Sequence, residues 1–258
     1  VLGSMTVNVK MDITFMKAGK TDHTLFIGCK GGKIYKITNA GIAGQTVTQI
    51  DNGLLPSGNT TISCIDIGAT ENNLLVTFSN FGVASVWLTI DGGITWLNKD
   101  QSTSGLEDIP VRSAIFYPLD RKQVFLATEL GVWQTTDIMD SNPNWQPRNI
   151  GLANVRCDGI VYRSTDRVLA VGTHGRGIYM ATLPLPPNCN SQLVLQNPNM
   201  LSNTTIESFD WINAKTNNVI DTNQKINYSA GKYILLEPNF EAKQGSVFQA
   251  KIAGCSEN

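Results

Sequence analysis

The chain reads as all-β from end to end, organised as a repeated β unit followed by a smaller β module, and three observations predict this. An aliphatic–aromatic pair recurs as Ile34-Tyr35, Val86-Trp87, Val132-Trp133 and Ile178-Tyr179, with 52, 46 and 46 residues between successive aromatics. Self-similarity at a period of this size marks a repeat architecture. The stretch Thr89-Ile90-Asp91-Gly92-Gly93-Ile94-Thr95-Trp96 carries the turn chemistry of a hairpin. Beyond Leu183 the composition shifts, first to Pro184, Pro186 and Pro187 and then to a run rich in Gln, Asn and Ser up to Thr205.

Within the repeat, each element has its own reason. A first strand is expected at Ile62-Ser63-Cys64-Ile65, Val111-Arg112-Ser113-Ala114 and Val155-Arg156-Cys157-Asp158, each after a loop rich in Pro, Gly or Asn. A second follows at Leu25-Phe26-Ile27-Gly28, Leu74-Leu75-Val76-Thr77, Phe125-Leu126-Ala127-Thr128 and Leu169-Ala170-Val171-Gly172, apolar runs that end in small residues as a strand entering a turn does. The third strand holds the aliphatic–aromatic pair. The fourth follows a turn in which Asp91 accepts hydrogen bonds from backbone N–H groups two residues on, Gly92 and Gly93 supply positive φ, and Trp96 packs after the reversal. Asp137 stands four residues after Trp133, as Asp91 does after Trp87, with residues 139–144 enlarging the turn before Trp145; Asn39 holds the matching place after Tyr35. The last unit, ending at Leu183, lacks this turn and stops after its third strand. About three and a half four-stranded units are therefore expected over residues 1–183.

The spacing Ser/Thr-x-Asp-x-Gly-x-Thr-Trp at Thr89, Asp91, Gly93, Thr95 and Trp96 resembles the Asp-box of sialidase-type (BNR) β-propellers. Thr173-His174-Gly175-Arg176-Gly177 is similar to phrases that close the last blade of sialidase-like and sortilin-like propellers. The resemblance implies a partial β-propeller whose Asp-box is structural and lies on the rim opposite the ligand face, so it identifies a scaffold and not a reaction. Propellers close with about four to eight blades. Residues 1–183 are accordingly expected to be the C-terminal blades of a longer propeller, with ring completion by partner subunits as the alternative. The opening Val1-Leu2-Gly3-Ser4-Met5 reads as neither a natural start nor a signal peptide.

Residues 184–190 read as a stiff Pro-rich linker, and residues 191–258 as the second module, with strand-like phrases at 206–212, 225–228, 233–236 and 246–252 broken at Ala230-Gly231 and Gln244-Gly245. From about residue 189 to 255 the chain resembles a small stacked-β (3-coathanger-type) module found near the C-terminus of bacterial proteins exported by type IX secretion. That resemblance implies a secreted or cell-surface protein, associated with the bacterial outer membrane, and a separate sorting segment downstream. Cys189 and Cys255 bracket the module and are a disulfide candidate in an oxidising compartment, two unpaired thiols being the alternative. Cys29, Cys64 and Cys157 sit inside apolar strand phrases and are expected to pack as small buried groups.

Composition bounds the rest. With 258 residues at 41% hydrophobic and 16% charged, there is ample core for one large or two modest domains. No apolar run approaches the roughly 20 residues of a membrane span, so no direct membrane insertion is expected. A formal net charge of −1 without long charged blocks argues against nucleic acid or anionic membrane as the main partner. Neither Cys-x-x-Cys nor a His-rich spacing occurs, so neither a metal nor another cofactor is expected.

The resemblance places ligands over the loops that join second to third strands and those that lead into the next first strand. The first class offers Asn80, Phe81, Glu129, His174 and Arg176, the second Asp108, Arg112 and Arg156. Arg112 and Arg156 read as equivalent positions in successive units, from which guanidinium groups clamp a carboxylate as in sialidases or pair with a neighbouring acid such as Asp108 or Glu129. His174 reads as a proton carrier or as a hydrogen-bonding surface group. Asp108 and Glu129 are the evident carboxyl pair for a glycosidase, a chemistry that needs two carboxyls at a set separation. Phe81, Trp211 and Tyr233 are candidates to stack on sugar rings, although the alternation of its strand puts Trp211 in the core. The triplets Asn59-Thr60-Thr61, Asn203-Thr204-Thr205 and Asn227-Tyr228-Ser229 read as polar loops. The expected function is recognition of a glycan or protein by the propeller face, with the second module as a spacer or coupling unit. A glycoside hydrolase with catalytic residues partly upstream, and a structural part of a surface assembly, are the alternatives.

Overall fold

The computed structural model describes residues 12–152, 154–185, 189–196 and 204–255. The opening pentapeptide, Pro186, Pro187 and Asn203 lie outside them. The chain divides into two compact units, Val1–Leu183 and Pro184–Asn258, and both are all-β.

In the first unit every sheet is antiparallel and its strands follow chain order. The first sheet holds β1 (Ile13–Ala18), β2 (Leu25–Cys29), β3 (Ile34–Thr38) and β4 (Thr46–Gln49). The second holds β5 (Ile62–Ile67), β6 (Leu74–Phe78), β7 (Val86–Thr89) and β8 (Leu97–Asn98). The third holds β9 (Val111–Tyr117), β10 (Asp120–Thr128), β11 (Gly131–Thr135) and β12 (Gln146–Pro147), and the last has three strands, β13 (Cys157–Arg163), β14 (Val168–Thr173) and β15 (Gly177–Thr182). This is a partial β-propeller. Its core lies between successive sheets: Phe26, Ile34, Ile62, Leu74, Val76 and Trp96 form one cluster, while Leu75, Val86, Val111, Phe116, Leu126 and Trp145 form the next. Leu74 and Val76 face one neighbour and Leu75 the other, so β6 is buried along its whole length. A strand covered on both faces must be apolar at every residue, which is why second strands read as unbroken hydrophobic runs.

The Thr89–Trp96 turn is wider than a two-residue hairpin. Asp91 accepts from the Thr95 N–H at 2.9 Å and the Thr95 hydroxyl at 2.6 Å, four residues on and not two, while the Thr89 hydroxyl donates to Asp91 at 2.7 Å. These bonds hold the Asp91 carboxyl down at about 2. Gly93 has φ 94°, and a Cβ there would meet the Ile50 carbonyl at 2.5 Å. Trp96 crosses to the preceding sheet, its indole N–H donating to the Ile50 carbonyl at 2.9 Å. Trp145 does the same for the Lys99 carbonyl at 2.8 Å, so the enlarged turn at 139–144 still delivers its anchor.

A bulge recurs near the start of all four first strands, at Thr14, Ser63, Arg112 and Asp158. It corrects one expectation. Arg112 is the counterpart of Asp158, whereas Arg156 precedes β13 and matches Pro110: the Glu129 N–H donates to the Pro110 carbonyl (3.1 Å) as the His174 N–H does to that of Arg156 (2.9 Å). The bulge adds a residue that simple spacing does not reveal.

The second unit is parallel throughout. It contains β16 (Asn190–Leu195), β17 (Thr204–Ala214), β18 (Val219–Ile220), β19 (Lys225–Ala230), β20 (Tyr233–Leu236), β21 (Glu241–Ala242) and β22 (Val247–Ile252). Thr204 pairs with Ile226 and Ile226 with Phe248, Trp211 with Tyr233, and Val219 with Glu241, each 22 residues along. The chain therefore coils as a short solenoid with a 22-residue turn. Ile212, Ala214, Ile220, Ile226, Tyr228 and Ala230 fill its centre, and ion pairs one coil apart (Lys232–Asp210, Lys215–Glu237, Lys243–Asp221) line its outside. Trp211 is not in this core. Ile212 takes the inward place, and Trp211 stacks outside on Tyr233 with centroids 6.0 Å apart. Cys189 and Cys255 are joined by a disulfide; Cys29, Cys64 and Cys157 are free and buried.

Candidate functional site

Antiparallel alternation brings the turns after second strands and the connections into the next sheet to one end of the propeller unit. Backbone bonds tie the two classes together, as where the Gly131 N–H donates to the Val155 carbonyl (3.0 Å). The expected ligand-face residues separate there into two groups.

The first group joins the third and fourth sheets. Arg112 donates from Nε and Nη2 to Glu129 Oε2 at 2.9 and 2.7 Å. Arg156 Nε donates to Asp158 Oδ1 at 2.6 Å, and His174 Nδ1 lies 3.5 Å from Asp158 Oδ2. Arg176 stands exposed in the β14–β15 turn. Asp158 is the hub of this network and was absent from the sequence-derived set; its signal is the bulge register that makes it the counterpart of Arg112. The guanidinium groups of Arg112 and Arg156 thus each have a carboxylate from within the protein, so anion clamping by these two would require exchanging one partner for another.

Asp108 and Glu129 do not work as a pair. Both carboxyl oxygens of Asp108 accept from the Gly82 N–H, at 2.8 and 3.0 Å, whereas Glu129 is held by Arg112. Asn80 is a loop pin: its Oδ1 accepts from the Thr61 N–H at 2.7 Å and its Nδ2 donates to the Asn59 carbonyl at 3.1 Å.

The second group surrounds a cleft of about 460 Å³ between the β6–β7 loop and the connection into β9, lined by Gly82, Val83, Ala84, Asp100, Ser102, Leu106, Glu107 and Asp108. Phe81 projects from the same loop and is 66% exposed. Asp100 was also absent from the sequence-derived set, yet it has a signal in the repeat. Two residues past the fourth strand stand Asp51, Asp100 and Asn149, and each accepts an N–H at the start of its third strand: Ile34 (3.2 Å), Ser85 (2.7 Å) and Val132 (2.8 Å).

The three differ in charge balance. Burial pushes the Asp51 carboxyl up, but the Gly53 N–H, Lys33 (Nζ at 3.1 Å) and the Ile34 N–H together hold it below its ordinary value. Asn149 has no charge to balance. Asp100 is half-buried and has no cation partner among the described residues: burial raises its carboxyl to about 6, the Ser85 N–H opposes this, and Asp108 adds to it. Among the described residues no group of His, Cys, Asp and Glu is arranged to hold a metal, and no helix is long and apolar enough to cross a membrane.

No protein-family model and no curated protein matches the chain. Among solved structures, it is similar to the Niastella koreensis GH74 enzyme at 19% identity and a TM-score of 0.46, over 69% of this chain and 30% of that one. It is similar to the β-propeller domain of Myceliophteria thermophila Cps50 (Swd1) at 16% and 0.47, over 70% and 59%. YCF48 from Cyanidioschyzon merolae gives 13% and 0.49, over 70% and 59%. The chain spans less than two thirds of each. Likenesses this distant carry no function, and the propeller assignment rests on strand order, register and inter-sheet packing.

Proposed function

We propose that this is a secreted or cell-surface binding protein whose propeller face recognises a protein or glycan, with the 22-residue solenoid serving as a spacer or coupling unit toward an export or anchoring domain. The observation that carries the reading is the cleft at Asp100 and Asp108 beside the exposed Phe81: it is concave, mixes apolar walls with carboxyl groups, and lies at the loop-bearing end of the unit. In this reading Thr89, Asp91, Gly93, Thr95 and Trp96 are a structural Asp-box of the sialidase-like kind, and the blades missing from a ring come from upstream chain or from partner subunits. The Cys189–Cys255 bridge supports export, since such bonds persist in oxidising compartments. The resemblance of residues 189 to 255 to type IX cargo modules supports an outer-membrane-associated location.

One observation favours a second reading, a fragment of a glycoside hydrolase. A carboxyl raised to about 6 near a second carboxyl is the arrangement a general acid needs. A panel of soluble bacterial-surface and plant polysaccharides separates the readings. Binding predicts saturable retention that weakens in Phe81→Ala, with no new reducing ends. Hydrolysis predicts reducing ends that vanish in Asp100→Asn or Asp108→Asn. Neither retention nor cleavage, with no protein ligand found by the amine titration below, would leave a structural role.

A further inference from the structure

We propose that the cleft receives the side-chain ammonium or guanidinium of a lysine or arginine on a partner protein, which does for Asp100 what the Lys33 ammonium does for Asp51. The inference rests on the reading of this face as a recognition surface and names the chemistry of its partner. The repeat itself supplies the comparison. The residue two past the fourth strand accepts an N–H at the start of the third strand in each of the first three sheets, a carboxylate with its own lysine in the first and a neutral amide in the third. In the second sheet a carboxylate does it with no cation partner among the described residues. That carboxylate, Asp100, takes the N–H one residue earlier in register than the other two.

Register places Ser85 where the first sheet has Lys33: the Phe78 N–H donates to the Ser85 carbonyl (3.0 Å) as the Cys29 N–H does to that of Lys33 (2.9 Å). Ser85 is buried and brings no charge. In place of an internal ammonium, Asp100 faces an open cleft whose other ionisable lining groups are Glu107 and Asp108. No lysine, arginine or histidine is among the lining residues. A carboxylate keeps lone pairs free after one or two hydrogen bonds, so Asp100 and Asp108 both retain acceptor sites for an incoming donor. Val83, Ala84 and Leu106 offer apolar wall for the methylene stem that carries such a charge. A sugar hydroxyl, being neutral, would leave the charge uncompensated.

The test is an amide-shift titration of the isotope-labelled whole chain with N-acetyl-lysine-N-methylamide, its norleucine analogue, n-butylammonium and calcium chloride. The lysine probe should shift the Ser85 and Gly82 amides saturably in the millimolar range, and the uncharged norleucine analogue at least tenfold more weakly. Ala84→Lys, which tethers an ammonium in the cleft, should abolish the response while leaving the amides of the third and fourth sheets in place. Asp100→Asn should weaken it about tenfold and remain folded.

Equal binding of norleucine, an unchanged response in Ala84→Lys, or no shift at tens of millimolar probe would overturn the proposal. A response to calcium without one to the lysine probe would make the cleft a metal-ion site and overturn it too. Tighter binding of butylammonium than of the lysine probe would point to a free amine in place of a protein side chain. Because the probe is an amine, its failure leaves the polysaccharide assay to decide the broader recognition reading separately.

Discussion

Asp100→Asn is expected to stabilise the propeller unit at pH 7 and to have no such effect near pH 4. In the folded chain burial holds this carboxyl at about 6, against an ordinary value of 3.8. At about 1.4 kcal/mol per pH unit, ionising it in place costs up to about 3 kcal/mol, and solvent reaching a half-buried group reduces this to about 1–2 kcal/mol. A carboxyl raised on folding is penalised only when charged. The cost is absent below about pH 4, grows between pH 4 and pH 6, and is complete above that. The substitution keeps the structural bond, since an asparagine oxygen accepts the Ser85 N–H as Asn149 accepts that of Val132. For a unit of this size the gain corresponds to about 2–6 °C in Tm. Thermal unfolding of wild type and variant at pH 7 and pH 4 gives the readout. A variant that is no more stable at pH 7, or equally stabilised at both pH values, would refute the reasoning.

Three further outcomes follow from the packing. Trp96→Phe removes the indole N–H from the buried Ile50 carbonyl and should cost about 1–3 kcal/mol by urea denaturation, with Trp145→Phe costing a similar amount through the Lys99 carbonyl. Reducing the Cys189–Cys255 bridge, which spans a separation of 66 residues, should lower the solenoid's calorimetric transition by about 4 kcal/mol of stability and leave the propeller transition in place. Gly231→Ala drives a Cβ into the Phe209 carbonyl, so hydrogen exchange should accelerate across 204–214 and 225–236 but not in residues 12–183.

Much of the propeller unit is legible in the sequence because burial between sheets dictates it. Leu74, Leu75 and Val76 must all be apolar when both faces of their strand are covered, so the second strands announce themselves. Trp96 and Trp145 mark the turns because each spans to the preceding sheet. What escaped depends on register. The bulge at Arg112 and Asp158 shifts the side-chain frame, and so simple spacing aligns Arg156 with Arg112 where the register aligns Asp158. Asp100 looks like an ordinary loop residue until Asp51 and Asn149 are superposed on it by their shared N–H acceptor role. The first strand at Ile13–Ala18 escaped as well, since no repeat precedes it for comparison. In the solenoid, the 22-residue coil is hidden because parallel backbone pairing does not require stacked side chains to match: Thr204, Ile226 and Phe248 share one column, and only pairs such as Ile212 and Ile234 or Asn217 and Asn239 repeat in identity.

The account turns on an uncompensated carboxylate at the cleft, and carbon-13 titration of the Asp100 side chain, in wild type and in Ala84→Lys, measures it most directly. A midpoint near 6 in wild type that falls below 4 when the tethered ammonium is present is the predicted result. A wild-type midpoint already below 4 would mean that Asp100 is satisfied within the chain, leaving the cleft without the charge on which its recognition role depends.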